Sequence, residues 1–257
     1  MEYRFSENEQ VLIIGSKGSQ LLKLKGPMVT LGPGKGAIST SRLTGMESGS
    51  RISVGSREFI LLRPDIRDIS EHIERGAQIV VPKDSSFITY GLGLSDGMRV
   101  IEGGAGSGAL TIALLNAVAP KGAVVTYDIR EDHLENARRN ISSTPFLGNW
   151  EGRIGDICNS GSGEEFDAAV IDIPNPEDAV PAIRDSLCPG SRFCAYVPTV
   201  NQMERATLEL ERSGFMSIEP LEIIHRPYSV KKDATRPVHE ILAHTGYVVF
   251  ARWPGSP

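Results

Sequence analysis

Cysteine is scarce in this chain of 257 residues: there are three, Cys158, Cys188 and Cys194, in no close paired spacing and without a second Cys/His cluster beside them. That excludes a four-ligand zinc module and a disulfide framework, so no metal is expected. Long apolar runs are missing as well. No stretch approaches the roughly 20 apolar residues that span a bilayer, and the opening MEYRFSENEQ is charged where a secretory signal would be apolar. The reading is a soluble, reduced, cytoplasmic protein with no membrane partner. Net positive charge is also absent, the formal charge being −5, which argues weakly against a nucleic-acid partner. The charges are unevenly placed, however. Residues 1–76 carry 11 basic against 9 acidic side chains, residues 77–224 carry 11 against 21, and residues 225–257 carry 5 against 2. Distribution matters more than the sum, and two basic ends flank an acidic middle.

What is present is enough apolar sequence, 40%, for one large domain and a small extra module. Residues 1–65 hold short alternating or β-branched runs, QVLIIG, QLLKLK, PMVTLG and REFILLRP, separated by glycine, proline and serine turns; they predict a small β domain. Residues 66–97 read as a connector helix and lead-in, with Ile66, Ile69, Ile73 and Ala77 at helical spacing and Gly76 as the stop. From residue 98 to 257 the rhythm becomes strand then helix. RVIEGG, AVVTYDI, FDAAVIDI and RFCAYVP are the strands, and helices are expected over 107–119, 131–143, 176–187 and 200–213. These strands are apolar on both faces, as a parallel sheet covered by helices requires. The last two runs, MSIEPLEIIHRPYSV and TGYVVFARW, lack the usual helical crossover and are expected to pair antiparallel. The fold class is therefore α/β, a mostly parallel sheet whose final hairpin suggests a methyltransferase-type sheet, plus the small N-terminal β domain.

The run RVIEGGAGSGALT puts Gly104, Gly106 and Gly108 between a strand and a helix. Absent side chains let the backbone approach a ligand, and the helix N-terminus offers free N–H groups to a carboxylate or phosphate. Taken alone, the pattern is equally a dinucleotide fingerprint, G-x-G-x-x-A, or a turn without a ligand. Asp128 ends the next strand about 20 residues on, where an acid accepts from ribose hydroxyls. Asp156, after Gly155, lies at the following strand edge and suits an adenine amino group. Glu102 separates the readings: a dehydrogenase has no special use for an acid inside this strand, whereas a donor with an amino group and a sulfonium favours carboxylates, which points to S-adenosylmethionine. Asp172 follows the fourth strand, and Pro174 and Pro176 stiffen its loop and keep it from turning helical. A stiff loop holding an acid beside a cofactor reads as a catalytic position; an ordinary Asp-Pro turn is the alternative.

Six motifs in order, PKDSSFI, VIEGGAGSGALT, YDIREDH, IDIPNP, YVPTVNQ and RPVHEILAHTGYVVFAR, together resemble the tRNA (adenine-N1) methyltransferases that modify the T-loop adenine, in their archaeal and bacterial form. The resemblance spans nearly the whole chain. It implies a small N-terminal β domain, a class I (Rossmann-like) methyltransferase domain with a seven-stranded, mostly parallel sheet, S-adenosylmethionine as donor, tRNA as substrate, methylation of one T-loop adenine or two adjacent ones, and a homotetramer. By position it implies a cofactor site of Glu102, Gly103, Gly104, Ala105, Gly106, Ser107, Gly108, Asp128, His133, Gly155, Asp156 and Asp172, and a catalytic set of Asp172, Arg236 and Tyr228. Three departures stand out. The ribose position, commonly Glu, is Asp128; a common Pro-Glu-Pro-Trp is Pro174-Asn175-Pro176-Glu177; and a common GHTG is Ala243-His244-Thr245-Gly246.

The basic insertion YSVKKDATRPVHEILAHTGY is expected to line the base pocket, with Arg236 near the catalytic edge and Lys231 and Lys232 reaching phosphates; His239, His244 and Tyr247 lie around it. Lys17, Lys23, Lys25, Lys35 and Arg42 give the N-terminal domain two uses, gripping tRNA or another subunit. The readings that compete are methylation of another acceptor, such as a protein carboxylate or another RNA, a nicotinamide-dependent oxidoreductase, and an inactive RNA-binding subunit.

Overall fold

The computed structural model describes residues 3–32, 36–74, 79–160, 163–240 and 243–256, and the chain divides into two units, residues 1–73 and 74–257. In the first unit, β1 (Gln10–Gly15), β2 (Gly18–Lys23), β5 (Arg51–Val54) and β6 (Arg57–Leu62) form an antiparallel sheet in the order β2-β1-β6-β5. The pair β3 (Met28–Thr30) and β4 (Ala37–Ser39) forms a separate hairpin, followed by α1 (Thr40–Leu43). Alternate residues point one way: Val11 and Ile13, Leu22, Ile52, and Phe59 and Leu61 share a core with Phe5, Leu24, Leu31 and Leu43. Strands β4 and β5, of three and four residues, carry too little alternation to read as strands in the sequence.

The helix read from Ile66 onward is shorter than its apolar spacing predicts. Helix α2 spans Ile66–Glu71, opened by a reciprocal capping box between Asp65 and Asp68, and belongs to the first unit. Gly76, Ala77 and Lys35 lie outside the described residues. The lead-in contains a helix of its own, α3 (Pro82–Gly91), with proline in its first turn, where the missing N–H costs nothing.

The second unit is built on β7 (Arg99–Gly103), α4 (Ala109–Val118), β8 (Ala123–Asp128), α5 (Glu131–Ile141), β9 (Trp150–Ile154), β10 (Phe166–Ile171), α6 (Pro176–Arg184), β11 (Leu187–Val197), α7 (Val200–Arg212) and β12 (Met216–Glu222). A two-stranded hairpin, β13 (Tyr228–Ser229) and β14 (Arg236–Pro237), and the strand β15 (Tyr247–Arg252) complete it. The seven-stranded sheet runs β12-β15-β11-β10-β7-β8-β9, and β15 alone is antiparallel, to both β11 and β12. The final strands therefore pair as expected.

Alternation along the buried strands assigns the two faces. Ile101, Val125 and Ile171 pack with Ala179, Val180 and Ile183 of α6 and with Ala206 and Leu210 of α7. Their neighbours Glu102 and Thr126 point to the opposite face, where α4 lies. The strand order reverses at β7, so the carboxyl ends of β7, β8, β9 and β10 make one rim, the place where open sheets of this kind hold ligands.

Candidate active site

The loop between β7 and α4 turns on three glycines with left-handed backbone, Gly104 (φ +93°), Gly106 (φ +51°) and Gly108 (φ +79°). At Gly104 a Cβ would sit 2.2 Å from the carbonyl oxygen of Asp172, so only glycine lets the loop cross the end of β10. At Gly106 a Cβ would meet nothing within 4 Å. The loop is tight against protein at one end and open at its middle. Gly108 opens α4 without any side-chain cap, which leaves N–H groups of the first turn for an anion.

Asp128 ties this loop down. Its Oδ2 accepts from the N–H groups of Ala105 (2.9 Å) and Gly106 (3.4 Å) and faces His133 Nδ1 at 3.1 Å, while Oδ1 accepts from Arg130 N at 2.9 Å. Ser107 is anchored through its carbonyl, which accepts from Asn140 Nδ2 at 2.8 Å. Gly155 N donates to the Asp128 carbonyl at 3.0 Å, and the exposed Asp156 accepts from Cys158 N at 2.9 Å, capping a short helical turn. Beside Asp128, Ile129 stands 72% exposed at the rim, an apolar surface that suits a flat heterocycle and that the sequence reading passed over.

Two acids keep carboxylate oxygens without a donor. Glu102 is fully buried; its Oε2 accepts from Thr111 Oγ1 (2.8 Å) and Thr126 Oγ1 (2.6 Å), and its Oε1 has no partner. Burial pushes this carboxyl up to about 8, against the two threonine hydroxyls and with added repulsion from Asp172 and Asp128. Asp172 is half-buried at the end of β10, its backbone N–H donating to Gly103 O at 2.8 Å. No hydrogen bond or ion pair among the described residues reaches its carboxylate, and burial followed by the charge of Asp128 pushes it up to about 7. Two acids held near neutrality, without a counter-cation, fit a cationic ligand. Pro176 does not keep the following loop from turning helical; it sits in the first turn of α6, pre-set for that position by its fixed φ.

The hairpin carries Tyr228 opposite Pro237 and Ser229 opposite Arg236. Arg236 contacts the His239 ring, and both help line a cavity of about 240 Å³ with Ser229, Pro237, Val238 and Glu240. No hydrogen bond or ion pair among the described residues joins Arg236 or Tyr228 to Asp172. His244 has different company: Nδ1 lies 2.7 Å from a Glu222 oxygen and Nε2 2.9 Å from the Pro198 carbonyl. Two acceptors favour the doubly protonated ring, so the Glu222 bond and then the Pro198 bond raise its pKa.

One buried network carries no role in the sequence reading. Lys83 Nζ donates to Asp84 Oδ1 (2.6 Å), Thr245 Oγ1 (2.7 Å) and the Ile223 carbonyl (2.7 Å); Thr245 Oγ1 donates to Asp84 Oδ2 (2.6 Å). Tyr196 OH reaches Asp84 Oδ2 (3.1 Å) and the Thr245 carbonyl (2.9 Å), and burial, then Asp84, raises its pKa. A Cβ on Gly246 would lie 2.5 Å from the Tyr196 ring. The motifs PKDSS and HTG thus meet through one fully buried carboxylate, a meeting that 161 residues of separation hide from local patterns.

Residues 61–236 match the family described as tRNA methyltransferase complex GCD14 subunit. The tRNA (adenine(57)-N(1)/adenine(58)-N(1))-methyltransferase TrmI of Methanocaldococcus jannaschii is 30% identical, over 96% of this chain and 95% of its own length. Among solved structures, a SAM-dependent O-methyltransferase from Thermotoga maritima superposes with a TM-score of 0.91 at 29% identity, covering 99% of this chain and 96% of that one. The tRNA (m1A58) methyltransferase TrmI from Aquifex aeolicus gives 0.83 at 30% identity, covering 97% and 98%.

Proposed function

Since this chain belongs to the family of tRNA methyltransferase complex GCD14 subunits, we propose that it transfers a methyl group from S-adenosylmethionine to N1 of the T-loop adenine at position 58 of tRNA. The M. jannaschii relative is described as acting on positions 57 and 58. The observation that carries the reading is Asp172: an acid without a partner, at the carboxyl edge of β10, in contact range of the glycine loop. Bound S-adenosylmethionine supplies an electrophilic methyl group on a sulfonium. The residues fit it, because a buried carboxylate oxygen on Glu102 lies without a donor beneath the glycine loop, with open space at Gly106 and uncapped N–H groups at α4. Gly103 to Gly108 would hold its amino-acid end, Asp128 with His133 its ribose, and Gly155, Asp156 and Ile129 its adenine.

Adenine N1 is unprotonated at neutral pH, so no base is needed before attack, and alignment supplies much of the acceleration, up to roughly 7–11 kcal/mol in favourable intramolecular cases. Asp172 then accepts from the exocyclic amine and balances the positive charge that grows on the base. The pairing edge must be turned out of the folded tRNA, at a cost of a few kcal/mol; Tyr228 and Arg236 on the exposed hairpin are assigned to receive the base, and Lys231 and Lys232 to hold phosphates. A homotetramer is the proposed assembly and the cytoplasm its proposed compartment; no helix among the described residues is long and apolar enough to cross a membrane. Methylation of an oxygen acceptor is the second reading, favoured by the description of the T. maritima protein. Nucleoside mass spectrometry of unmodified tRNA treated with the purified protein is the test: 1-methyladenosine at position 58 is expected, and methyl transfer to protein with none to tRNA overturns the assignment.

A further inference from the structure

Glu102, next to last in β7, and Asp172, just past the end of β10, lie on neighbouring parallel strands, with Val170 opposite Glu102 and Ile171 opposite Gly103. The Thr111 bond to Glu102 also closes the base of the glycine loop, since it joins the last strand residues before the loop to the first turn after it. If bracing were its only task, the second carboxylate oxygen would not be left buried and without a donor. The groups facing the pair are uncharged or acidic. Thr111 comes from α4 and Thr126 from β8; Asp128, with His133 behind it, stands at the end of β8, and Tyr196 and Cys194 on β11 feel the charge of Asp172. Among the described residues no lysine or arginine forms an ion pair with either carboxylate.

Resting on the donor assignment made above, we propose that the empty site stores a proton on the Glu102–Asp172 pair, that seating the sulfonium donor expels it to solvent, and that the demethylated thioether product lets it return. The orphaned Oε1 of Glu102 is where the proton rides, and Asp172, the partly buried member at the strand end, is its exit. Burial penalises the ionised form while the site is empty, and a fixed positive charge at the rim reverses that preference. Donor and product differ by one methyl group and one unit of charge, and they share the amino acid, ribose and adenine. A purely geometric pocket discriminates poorly between them. A site whose own protonation responds to the sulfur charge discriminates by proton count, and more strongly as pH rises.

The test is titration calorimetry of S-adenosylmethionine and of S-adenosylhomocysteine into the full chain, each in two buffers of different ionisation heat, near pH 7. The donor is expected to release about half a proton to one proton more than the product does. Glu102→Gln, which keeps the shape and the threonine bonds, is expected to shrink that difference; comparison with this variant cancels protons exchanged by the ligands themselves. Asp172→Asn is the second variant, and the wild type supplies a readout independent of both: the affinity ratio of donor to product is expected to rise on the order of tenfold from pH 6.5 to 8.5. Equal proton counts for the two ligands, or a difference that both variants leave intact, overturns the inference while the donor assignment stands. Failure of both ligands to bind overturns the donor assignment itself.

Discussion

Asp172 is an acid whose usefulness depends on its own isolation. Raised to about 7 by burial and by Asp128, it gains or loses its proton across the working range, and a nearby cation pulls it down. The pH profile of kcat/KM for the methyl donor, which reports the free protein, is therefore expected to rise through a value near 7, while kcat, which reports the loaded complex, rises at lower pH. Coincident profiles would contradict a carboxylate that senses the cofactor. Asp172→Ala is expected to lower kcat by about 10²–10³ while weakening donor affinity modestly. Single-turnover methylation and equilibrium binding on the same preparation separate the two effects. Asp84 works differently: it is buried and fully bonded to Lys83, Thr245 and Tyr196. Asp84→Ala leaves Lys83 largely buried without its counter-charge, so a loss of about 3–5 kcal/mol in denaturant unfolding is expected.

The glycine loop shows how an element becomes specific. A side chain at Gly104 would need both a strained φ and passage through the Asp172 carbonyl, so Gly104→Ala is expected to abolish the thermal shift produced by S-adenosylmethionine. Gly106 shares the left-handed backbone but opens onto free space, and there an added methyl group meets no protein atom within 4 Å. The hairpin tip carries the lysines proposed to hold phosphates. Lys231→Ala with Lys232→Ala is expected to weaken tRNA binding and to reduce the slope of log affinity against log salt by about 1–2, because each phosphate contact releases condensed counterions; an unchanged slope removes these lysines from the interface. The loop, its helix and the acids at the strand ends are legible in the sequence because each is a local pattern: glycines at short spacing, an apolar strand before them, one acid per strand end. Helix α3, the short strands β4 and β5, and the bond from Lys83 to Thr245 are not, since they depend on partners distant in the chain or on too few residues to show a period.

Across the whole molecule, the same buried acid sets a pH dependence of stability. Glu102 has a folded value raised to about 8, above its ordinary 4.5. A folded state that binds the extra proton is favoured fully below the unfolded value, and that advantage disappears as pH rises through the folded one. Stability is therefore expected to decline between about pH 5 and 8, with an upper bound of roughly 4–5 kcal/mol from this one group before relaxation. Chemical denaturation of Glu102→Gln at pH 6 and pH 9 checks it: the variant is expected to gain on the wild type at the higher pH.

Local chemistry in the sequence determined the alternation of strands and helices, the glycine loop that opens α4, and which strand ends carry acids, because periodicity and backbone freedom act over a few residues. Only the folded sheet decided which of those acids remain without a donor, that Oδ2 of Asp128 ties down the glycine loop, and that Lys83, Asp84, Tyr196 and Thr245 share one buried network. Desolvation is the physical reason. The charge state of a carboxyl group depends on what surrounds it in three dimensions, and no stretch of sequence contains that surrounding.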